Sequence, residues 1–398
     1  MTEKRKIRFG LLPRIIVAIV LGVLLGNILP VALLRVFATF NDIFGALLQF
    51  LIPLIIFGLV TPAIGDLGKG AGRLLLITAL MAYLSTVTAG FVSYLTSVGV
   101  FPNLIEHGAA KAIADSNEAP PPYFSINIPP LFDVMSALVL SFILGLGITA
   151  MKTTALKDVM AEFKAIIAKT IEKLIIPLLP LYIMGIFMSM TATGQAARVI
   201  EVFLKIIIVI FILHICLLLF QFVISGLITK KNPFRMLKNM LPAYFTALGT
   251  SSSAATIPVT LQQVKKNGVQ DDVAGFVVPL CATIHMSGSM LKIVACAVAL
   301  MMMQDKPFDL AMFSGFILML GVMMVAAPGV PGGSIMAALG VLSSMLGFTE
   351  SDQALMIALY IAMDNFGTAC NVTGDGAIAQ IVNLIKNKLD NKSKIITP

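Results

Sequence analysis

Long apolar runs alternate with short polar connections along most of the chain. Runs of about 20 residues, long enough to cross a bilayer, occur at about 11–30, 43–65, 74–100, 130–151, 174–192 and 198–229. Beyond residue 230 the apolar runs are interrupted by clusters of glycine, proline and serine. The pattern predicts six membrane-spanning helices, followed by a region in which helices break within the membrane.

Charges in the connections predict how these spans are oriented. Cytoplasmic loops carry an excess of Lys and Arg, and basic residues cluster at the N-terminus, at 69–73, 152–173, 230–238 and 265–266, and in the C-terminal tail. The connection 101–129 is acidic and is expected outside. Inside and outside connections alternate correctly only if two segments enter the membrane and return to the side they came from. The segment at about 233–264 would do so from the cytoplasm, and the segment at about 308–348 from outside. Two re-entrant hairpins and two cytoplasmic termini are therefore predicted.

Each predicted hairpin has a helix-breaking sequence near its middle. The first contains GTSSSAATIP at 249–258, and the second contains APGVPGGS at 327–334. Non-helical backbone at membrane depth is tolerated only where it is buried in protein or lines a water-filled cavity, and there it offers free N–H and C=O groups to ions and substrates. The two tips are expected to form part of a binding site. Simple packing of small serines at a helix kink is the alternative for the first tip.

Four polar residues of the last apolar segment fall on one face of a helix. Asp364, Thr368, Asn371 and Asp375 are spaced i, i+4, i+7 and i+11, which places them on a single stripe. A carboxylate inside a membrane is costly and faces a partner or a water-filled cavity. The stripe offers oxygen ligands for a hard cation and a carboxylate that can pair with an ammonium group.

Composition places the chain among membrane proteins. Hydrophobic residues make up 58% and charged residues 12% of the sequence, against about 45–50% and about 25% in soluble domains. The net charge of +8 is dispersed over the connections, as membrane orientation requires, so no nucleic-acid partner is expected. The four cysteines all lie in apolar segments and are expected to be packing residues. No organic cofactor is indicated.

Two enzyme classes fit the sequence poorly. Asp364 and Asp375 lie on one helix, about 16 Å apart, and cannot share a proton as the carboxylates of an aspartyl protease do. His285 next to Ser287 or Ser289 has no orienting acid nearby in sequence. The chain is predicted not to be an enzyme. A channel is the remaining alternative to a carrier, and two opposed hairpins favour a carrier with alternating access.

The serine-rich tip, the PGVPGGS tip and the NVTGD sequence, in this order, resemble the dicarboxylate/amino acid:cation symporters, the glutamate transporter homologues. The resemblance implies an all-α membrane protein with eight transmembrane helices plus two re-entrant hairpins, built from inverted repeats and working by an elevator mechanism. It also implies a homotrimer in the lipid bilayer of the plasma (inner) membrane. The scaffold part would comprise about 11–66 and 130–192, and the transport part about 74–100 and 197–386, with hairpins at about 233–264 and 308–348.

The resemblance also assigns roles to residues by their place in the motifs. Asp364 would hold the α-ammonium group of an amino acid, and Asn371 its α-carboxylate, together with backbone N–H groups around Ser252 and Ser253. Thr368 would line the substrate pocket. The other substrate-binding positions are Pro328, Gly329, Val330 and Gly367. Asp375 would bind a sodium ion, and the further sodium ligands would be Asn371, His285, Met286, Ser85, Thr86, Ser287 and Ala326.

Two departures from the family pattern concern the substrate. Acidic-substrate members carry an arginine three residues after the aspartate, where this chain has Gly367, and some relatives carry one at the position of Ser251. Without a guanidinium, a buried substrate carboxylate lacks its bidentate partner. A small neutral polar amino acid (serine, threonine or alanine) is therefore predicted, with an acidic amino acid or dicarboxylate as the alternative. Lys292 could serve an acidic substrate, or could snorkel to the membrane surface or be paired structurally.

A third departure concerns the coupling ion. The family reads Asn-Met-Asp-Gly-Thr where this chain reads His285-Met286-Ser287-Gly288-Ser289, so one anionic sodium ligand is replaced by a serine. An unperturbed histidine titrates near neutrality, which makes His285 a candidate proton carrier. Alternatively, its neutral side chain fixes a hairpin while its backbone carbonyl faces the ion. Sodium is predicted as the coupling ion, with the proton as the alternative.

Overall fold

The structure is a computed structural model that describes residues 10–66, 73–105, 119–151, 154–327 and 331–396. All regular elements in these ranges are helical, which confirms the predicted all-α class. In chain order the helices are α1 (Leu11–Ile28), α2 (Val31–Asp66), α3 (Arg73–Val100), α4 (Val134–Ala150), α5 (Ala155–Thr170), α6 (Ile176–Ala192), α7 (Ala196–Thr229), α8 (Pro233–Thr250), α9 (Ser253–Lys266), α10 (Asp271–Ile284), α11 (Ser287–Met303), α12 (Leu310–Ala326), α13 (Gly333–Leu346), α14 (Glu350–Ala362) and α15 (Asp364–Ile396). A short 3₁₀ turn, Phe101–Asn103, follows α3, and a π-helical turn, Ile171–Ile175, joins α5 to α6.

Several of these helices are long and apolar enough to cross a membrane. Six helical segments qualify among the described residues, and two of them combine α5 with α6 and α10 with α11. A seventh is added if the bent pair α14 and α15 is taken as one span. The chain is therefore a multi-pass membrane protein. The predicted fourth span corresponds to α4, whose 17 residues fall short of the roughly 20 that a bilayer requires. The count of eight spans stays a prediction.

Helical structure continues beyond the predicted apolar runs in two places. Residues 31–42 were expected to be a connection, but α2 begins at Val31. There the Arg35 guanidinium lies 4.2 Å from the Tyr123 ring centroid and donates to the Pro121 carbonyl at 3.1 Å. Residues 155–170, also expected to be a connection, form the amphipathic α5, which buries Met160 and Ile167. Apolar length reports membrane thickness, so it underestimates helices that continue past the bilayer.

The helix breaks at the two predicted hairpin tips fall where the sequence places them. α8 and α9 pack against each other and are separated by Ser251 and Ser252. Ser251 has a left-handed backbone with φ of 51°, and Ser252 caps α9, its Oγ accepting from the Ala255 N–H at 3.2 Å. α12 and α13 also pack together. Their connection includes Pro328, Gly329 and Val330, which lie outside the described residues, and it ends at Gly332, whose φ is 75°.

Two further breaks lie inside the predicted seventh and eighth spans. His285 and Met286 are non-helical and separate α10 from α11, and α14 and α15 meet at Met363 with a bend of 62°. The sequence predicted each of these spans as one element. The breaks leave Asp364 as the first residue of α15 and His285 between two helices, so both side chains lie beside helix ends, where backbone groups lack helical partners.

Helix packing places α11 and α15 at the centre of the structure. Every residue of α11 is buried, and α15 contacts α7, α8, α10 and α11. α11 also packs extensively on α3. Away from this centre, α1 packs mainly on α6, and α2 packs on α4 and α5. The polar stripe of α15 therefore faces protein on its inner side.

Close approach of α11 and α15 requires glycine at residue 288. A Cβ there would lie 2.7 Å from the Gly367 carbonyl oxygen and 2.8 Å from Cys370 Cβ. We predict that Gly288→Ala destabilises the protein by about 1–3 kcal/mol, because overpacking displaces one helix. The measurement is the fraction of detergent-solubilised protein that stays monodisperse after heating, read by size-exclusion chromatography.

Gly275→Ala in α10 is the matched control, since a Cβ there meets no heavy atom within 4 Å. It should leave the heating curve unchanged or shift it upwards. Equal heating curves for the two variants would show that the contact between α11 and α15 does not depend on residue 288.

Candidate functional site

A small polar cavity of about 30 Å³ lies where the helix breaks converge. It is lined by Ser251, Ser253, Ala282, Met286, Ser289, Ser334, Tyr360, Asp364, Thr368 and Asn371. These residues come from both predicted hairpins and from α10, α11, α14 and α15. A volume of this size holds about two water molecules, so an amino acid can enter only if part of the lining moves.

A larger cavity of about 380 Å³ lies on the other side of Asp364. Its lining combines residues 10–13 at the start of α1, residues 249–251 at the first tip, and Pro331, Ile361, Asp364 and Asn365. Ser251 and Asp364 line both cavities. Between them the Ser251 hydroxyl donates to Asn365 Oδ1 at 2.5 Å and fastens the first tip to α15. This contact therefore joins a residue that lines both cavities to one that lines the larger cavity.

Asp364 is held by positive partners from three directions. Its Oδ2 accepts from the Gly332 N–H at 3.0 Å, and its Oδ1 lies 3.4 Å from Lys292 Nζ. It is also the first residue of α15, where the helix dipole stabilises a negative charge. Only 7% of the residue is exposed. These contacts compensate a carboxylate that would otherwise be costly to bury.

Lys292 is completely buried, at 0% exposure, so the snorkelling interpretation is wrong and the pairing interpretation holds. Besides Asp364, its Nζ contacts the Met363 carbonyl at 3.3 Å and lies 3.7 Å from the Tyr360 ring centroid. A Cβ at Gly367 would lie 2.5 Å from Nζ. Lys292 therefore fills space beside residue 367, yet neither residue lines the small cavity.

Asn371 lines the small cavity, and its two amide atoms differ in their hydrogen-bond partners. Its Oδ1 accepts from the Gly288 N–H at 2.7 Å, which satisfies one of the free donors at the start of α11. Its Nδ2 has weaker partners, Ser289 Oγ at 3.3 Å and the Met286 sulfur at 3.4 Å. The amide N–H groups of Asn371 are therefore available to donate hydrogen bonds to the carboxylate of a ligand. Thr368, one turn earlier on α15, lines the same cavity.

Four of the eight predicted sodium ligands form one hydrogen-bonded cluster with Gln221. His285 Nδ1 lies 2.8 Å from Asp375 Oδ1, and His285 Nε2 lies 3.0 Å from Ser85 Oγ. The Gln221 amide donates to both Ser85 Oγ and Ser287 Oγ at 3.1 Å. These contacts bring together side chains from α3, α7, α11 and α15 with the break at 285–286.

Four predicted sodium positions remain. Asn371 lines the small cavity, Thr86 and Met286 contact each other, and Ala326 ends α12. Thr86 Oγ1 accepts from the Met286 N–H at 3.3 Å. Ala326 is the last residue of α12 and is buried. In the described part of the chain no group of three or more His, Cys, Asp or Glu side chains is placed to hold a metal. A sodium ion here would therefore depend on hydroxyl and carbonyl oxygens around Asp375.

Sequence reasoning placed one residue differently and missed others. Ser252 caps α9 and does not line the small cavity, whereas its neighbour Ser251 does. Tyr360, whose hydroxyl lies 2.9 Å from Ser289 Oγ, and Gln221 were not singled out. Their only signal in the sequence is a polar group within an apolar run. His214 is also buried, with Nε2 3.1 Å from the Gly288 carbonyl oxygen.

A third cavity, of about 360 Å³, lies between α3, α7 and α15. Leucine, isoleucine, methionine and phenylalanine side chains make up most of its lining, with Ser85, Thr88 and Gln221 as its polar members. No charged side chain lines it. It therefore offers no charged partner for the ammonium group of an amino acid, unlike the small cavity at Asp364.

Comparison with known proteins identifies the family. The sequence model of the sodium:dicarboxylate symporter family matches residues 11–385. The chain belongs to this family. The resemblance of the hairpin and NVTGD motifs is thereby confirmed. So is the prediction that the chain is not an enzyme, because this is a family of membrane transporters.

Individual relatives carry the name excitatory amino acid transporter. The chain is 31% identical to excitatory amino acid transporter 2 of Mus musculus over 65% of this chain and 46% of that protein. It is 27% identical to a Caenorhabditis elegans excitatory amino acid transporter over 72% of this chain and 58% of that protein. The chain thus spans about half the length of these relatives.

The bond between Ser251 and Asn365 is expected to hold the first tip closed. Asn365→Ala removes the acceptor, at a net cost of about 0.5–1.5 kcal/mol for a hydrogen bond. We predict that it increases local opening at 249–256 by roughly 2- to 10-fold. The measurement is hydrogen exchange of the purified protein, followed for peptides that cover the tip.

Ser251→Gly tests the same bond from the other side. It also removes the hydroxyl, while glycine suits the left-handed backbone at this position. Faster exchange in both variants identifies the side-chain bond as the fastening. Exchange unchanged in both would show that the tip is held by other contacts.

Proposed function

We propose that the protein is a secondary active symporter that carries a small neutral polar amino acid, such as serine, threonine or alanine, across the plasma membrane together with sodium. The observation that carries the proposal is that Asp364 and Asn371 line the same small cavity. The carboxylate suits an α-ammonium group, and the amide N–H groups suit an α-carboxylate. Together they form a clamp for a zwitterion.

The rest of the cavity supports a small neutral side chain. Its wall carries hydroxyl groups of four serines, Thr368 and Tyr360, and none of its lining residues is cationic. Hydroxyl groups can bond to a serine or threonine side chain. A substrate carboxylate buried against them would lack a charged partner, which is strongly unfavourable.

An acidic amino acid or dicarboxylate is the second candidate substrate. It is favoured by the place of Lys292, whose Nζ lies beside residue 367, where the resemblance puts an arginine in acidic-substrate members. The family description and the names of the relatives point the same way. For this role the lysine would have to leave Asp364 and the Met363 carbonyl and reach past Tyr360 into the cavity.

Sodium is the proposed coupling ion. The family description supports it, and Asp375 with the hydroxyls of Ser85, Thr86 and Ser287 offers ligands that a hard cation prefers. Backbone carbonyls at His285, Met286 and Ala326, with Asn371, would complete the ligand set. The proton is the rival, because the His285 ring already contacts Asp375 and could carry the coupled charge.

Movement would follow an elevator mechanism in a homotrimer. The packing of α1 on α6 and of α2 on α4 and α5 supports a scaffold at about 11–66 and 130–192. The packing of α3 on α11 and of α15 on its neighbours supports a transport part at about 74–100 and 197–386. With both termini in the cytoplasm, the cavity next to residues 10–13 would open Asp364 to that side.

The direct test is uptake of labelled L-serine, L-threonine and L-aspartate into proteoliposomes under an imposed sodium or proton gradient. We predict sodium-driven uptake of serine or threonine and none of aspartate. Aspartate uptake alone would establish the second candidate substrate, and proton-driven uptake would replace sodium. Electrical currents far above a turnover-limited flux would show a channel and refute the carrier.

Removing the charge of Asp364 should abolish this uptake. Truncating one partner of a buried charge pair costs about 2–5 kcal/mol, so Asp364→Asn is predicted to lower serine affinity by roughly 30-fold or more. The readout is serine-dependent protection of the purified protein against heating. Undiminished serine uptake by a monodisperse variant would refute the assignment.

Two further variants control this experiment. Asp272→Asn removes a carboxylate at the start of α10, whose side chain is 64% exposed and pairs with Lys386, and it should keep transport. Asp364→Asn leaves Lys292 buried without its anion, so the double variant with Lys292→Met restores charge balance. The double variant should fold and still fail to bind serine.

A further inference from the structure

Lys292 is paired with Asp364, the carboxylate to which the proposed substrate would bind. The separation of 3.4 Å between Lys292 Nζ and Asp364 Oδ1 is the distance of an ion pair, and the lysine is fully buried. Its stem comes from α11, the helix whose every residue is buried. The ammonium group of Lys292 thus forms with Asp364 the ion pair that the α-ammonium group of an amino acid substrate would form.

The geometry separates the two cations. Asp364 lines the small cavity, whereas Lys292 is absent from its lining and packs against the Tyr360 ring and the Met363 carbonyl. A substrate would reach Asp364 from the cavity, and Lys292 reaches it from the protein interior. The two ammonium groups can therefore approach the Asp364 carboxylate from different sides, and one can replace the other as its partner.

The same carboxylate also holds the second predicted hairpin. Asp364 Oδ2 accepts from the Gly332 N–H at 3.0 Å, directly before α13 begins. A bare carboxylate in this buried place would draw water and open the structure around it. With Lys292 on Oδ1, Asp364 is neutralised, and the start of α13 can stay docked on it without a substrate.

We propose that Lys292 is an internal substitute for the substrate's ammonium group, which lets the unloaded carrier close the second hairpin on Asp364 and return across the membrane. The proposal rests on the proposed amino acid symport. Lys292 is a positioning residue in this scheme, because it acts through Asp364. A symporter must cross the membrane loaded in one direction and unloaded in the other, and the lysine serves the unloaded passage.

The experiment compares two transport modes of Lys292→Gln in proteoliposomes. Glutamine can still donate a hydrogen bond to Asp364 but carries no charge. Net sodium-driven uptake of labelled L-serine requires the unloaded return, whereas exchange of internal labelled serine for external serine does not. We expect net uptake to fall at least tenfold relative to exchange. Lys292→Arg, which keeps the charge, should restore part of the net uptake.

Hydrogen exchange at 331–346 gives a second readout. In Lys292→Gln without serine, exchange at the start of α13 should be faster than in the unaltered protein, and saturating serine should restore protection because its ammonium group replaces the lysine. Cys296→Ala, one turn further along α11 and also buried, is the matched control for loosened packing. It should change both transport modes equally.

The outcomes distinguish this proposal from the one on which it rests. Equal loss of net uptake and exchange, or faster hydrogen exchange that serine does not reverse, would show that Lys292 is purely structural. If the unaltered protein carries aspartate and not serine, the proposed substrate is wrong, and the same two modes are measured with aspartate. Loss of aspartate exchange in Lys292→Gln would then make Lys292 a substrate ligand and overturn the proposal.

Discussion

A single buried carboxylate, that of Asp364, constrains the arrangement around it. Charge in the interior of a membrane protein is tolerated only with full compensation, and here compensation comes from Lys292 on α11, the Gly332 N–H before α13 and the start of α15 itself. Each partner belongs to a different element. The carboxylate therefore ties the centre of the structure to one hairpin, and any change in its charge balance affects both.

The helix breaks make this compensation geometrically feasible. The 62° bend at Met363 puts Asp364 at a helix start instead of on a helix flank. The break at 285–286 frees backbone groups that then need other partners. Asn371 Oδ1 accepts from the Gly288 N–H, and Thr86 Oγ1 accepts from the Met286 N–H. The same polar residues that suit a ligand thus also complete the backbone hydrogen bonding of broken helices.

How much the sequence predicts depends on whether a feature is local. Glycine, proline and serine break helices wherever they cluster, and a spacing of four, seven and eleven residues sets one helix face, so the hairpin breaks and the α15 stripe could be predicted. The partner of Lys292 lies 72 residues away, and the contact of His285 with Ser85 spans 200 residues. Such pairs follow from packing, which no local pattern contains.

The origin of the buried cation matters as much as its presence. An arginine at residue 367 would project from the same helix as Asp364, three residues further along. A lysine from α11 instead reaches the back of the carboxylate and rests on the Tyr360 ring, and the absence of a side chain at Gly367 makes room for it. A cation on the cavity wall would attract a substrate's carboxylate, whereas Lys292 neutralises Asp364, the group proposed here to bind a substrate's ammonium. Under the proposed function, the helix from which the buried cation projects would therefore decide which group of a substrate it meets.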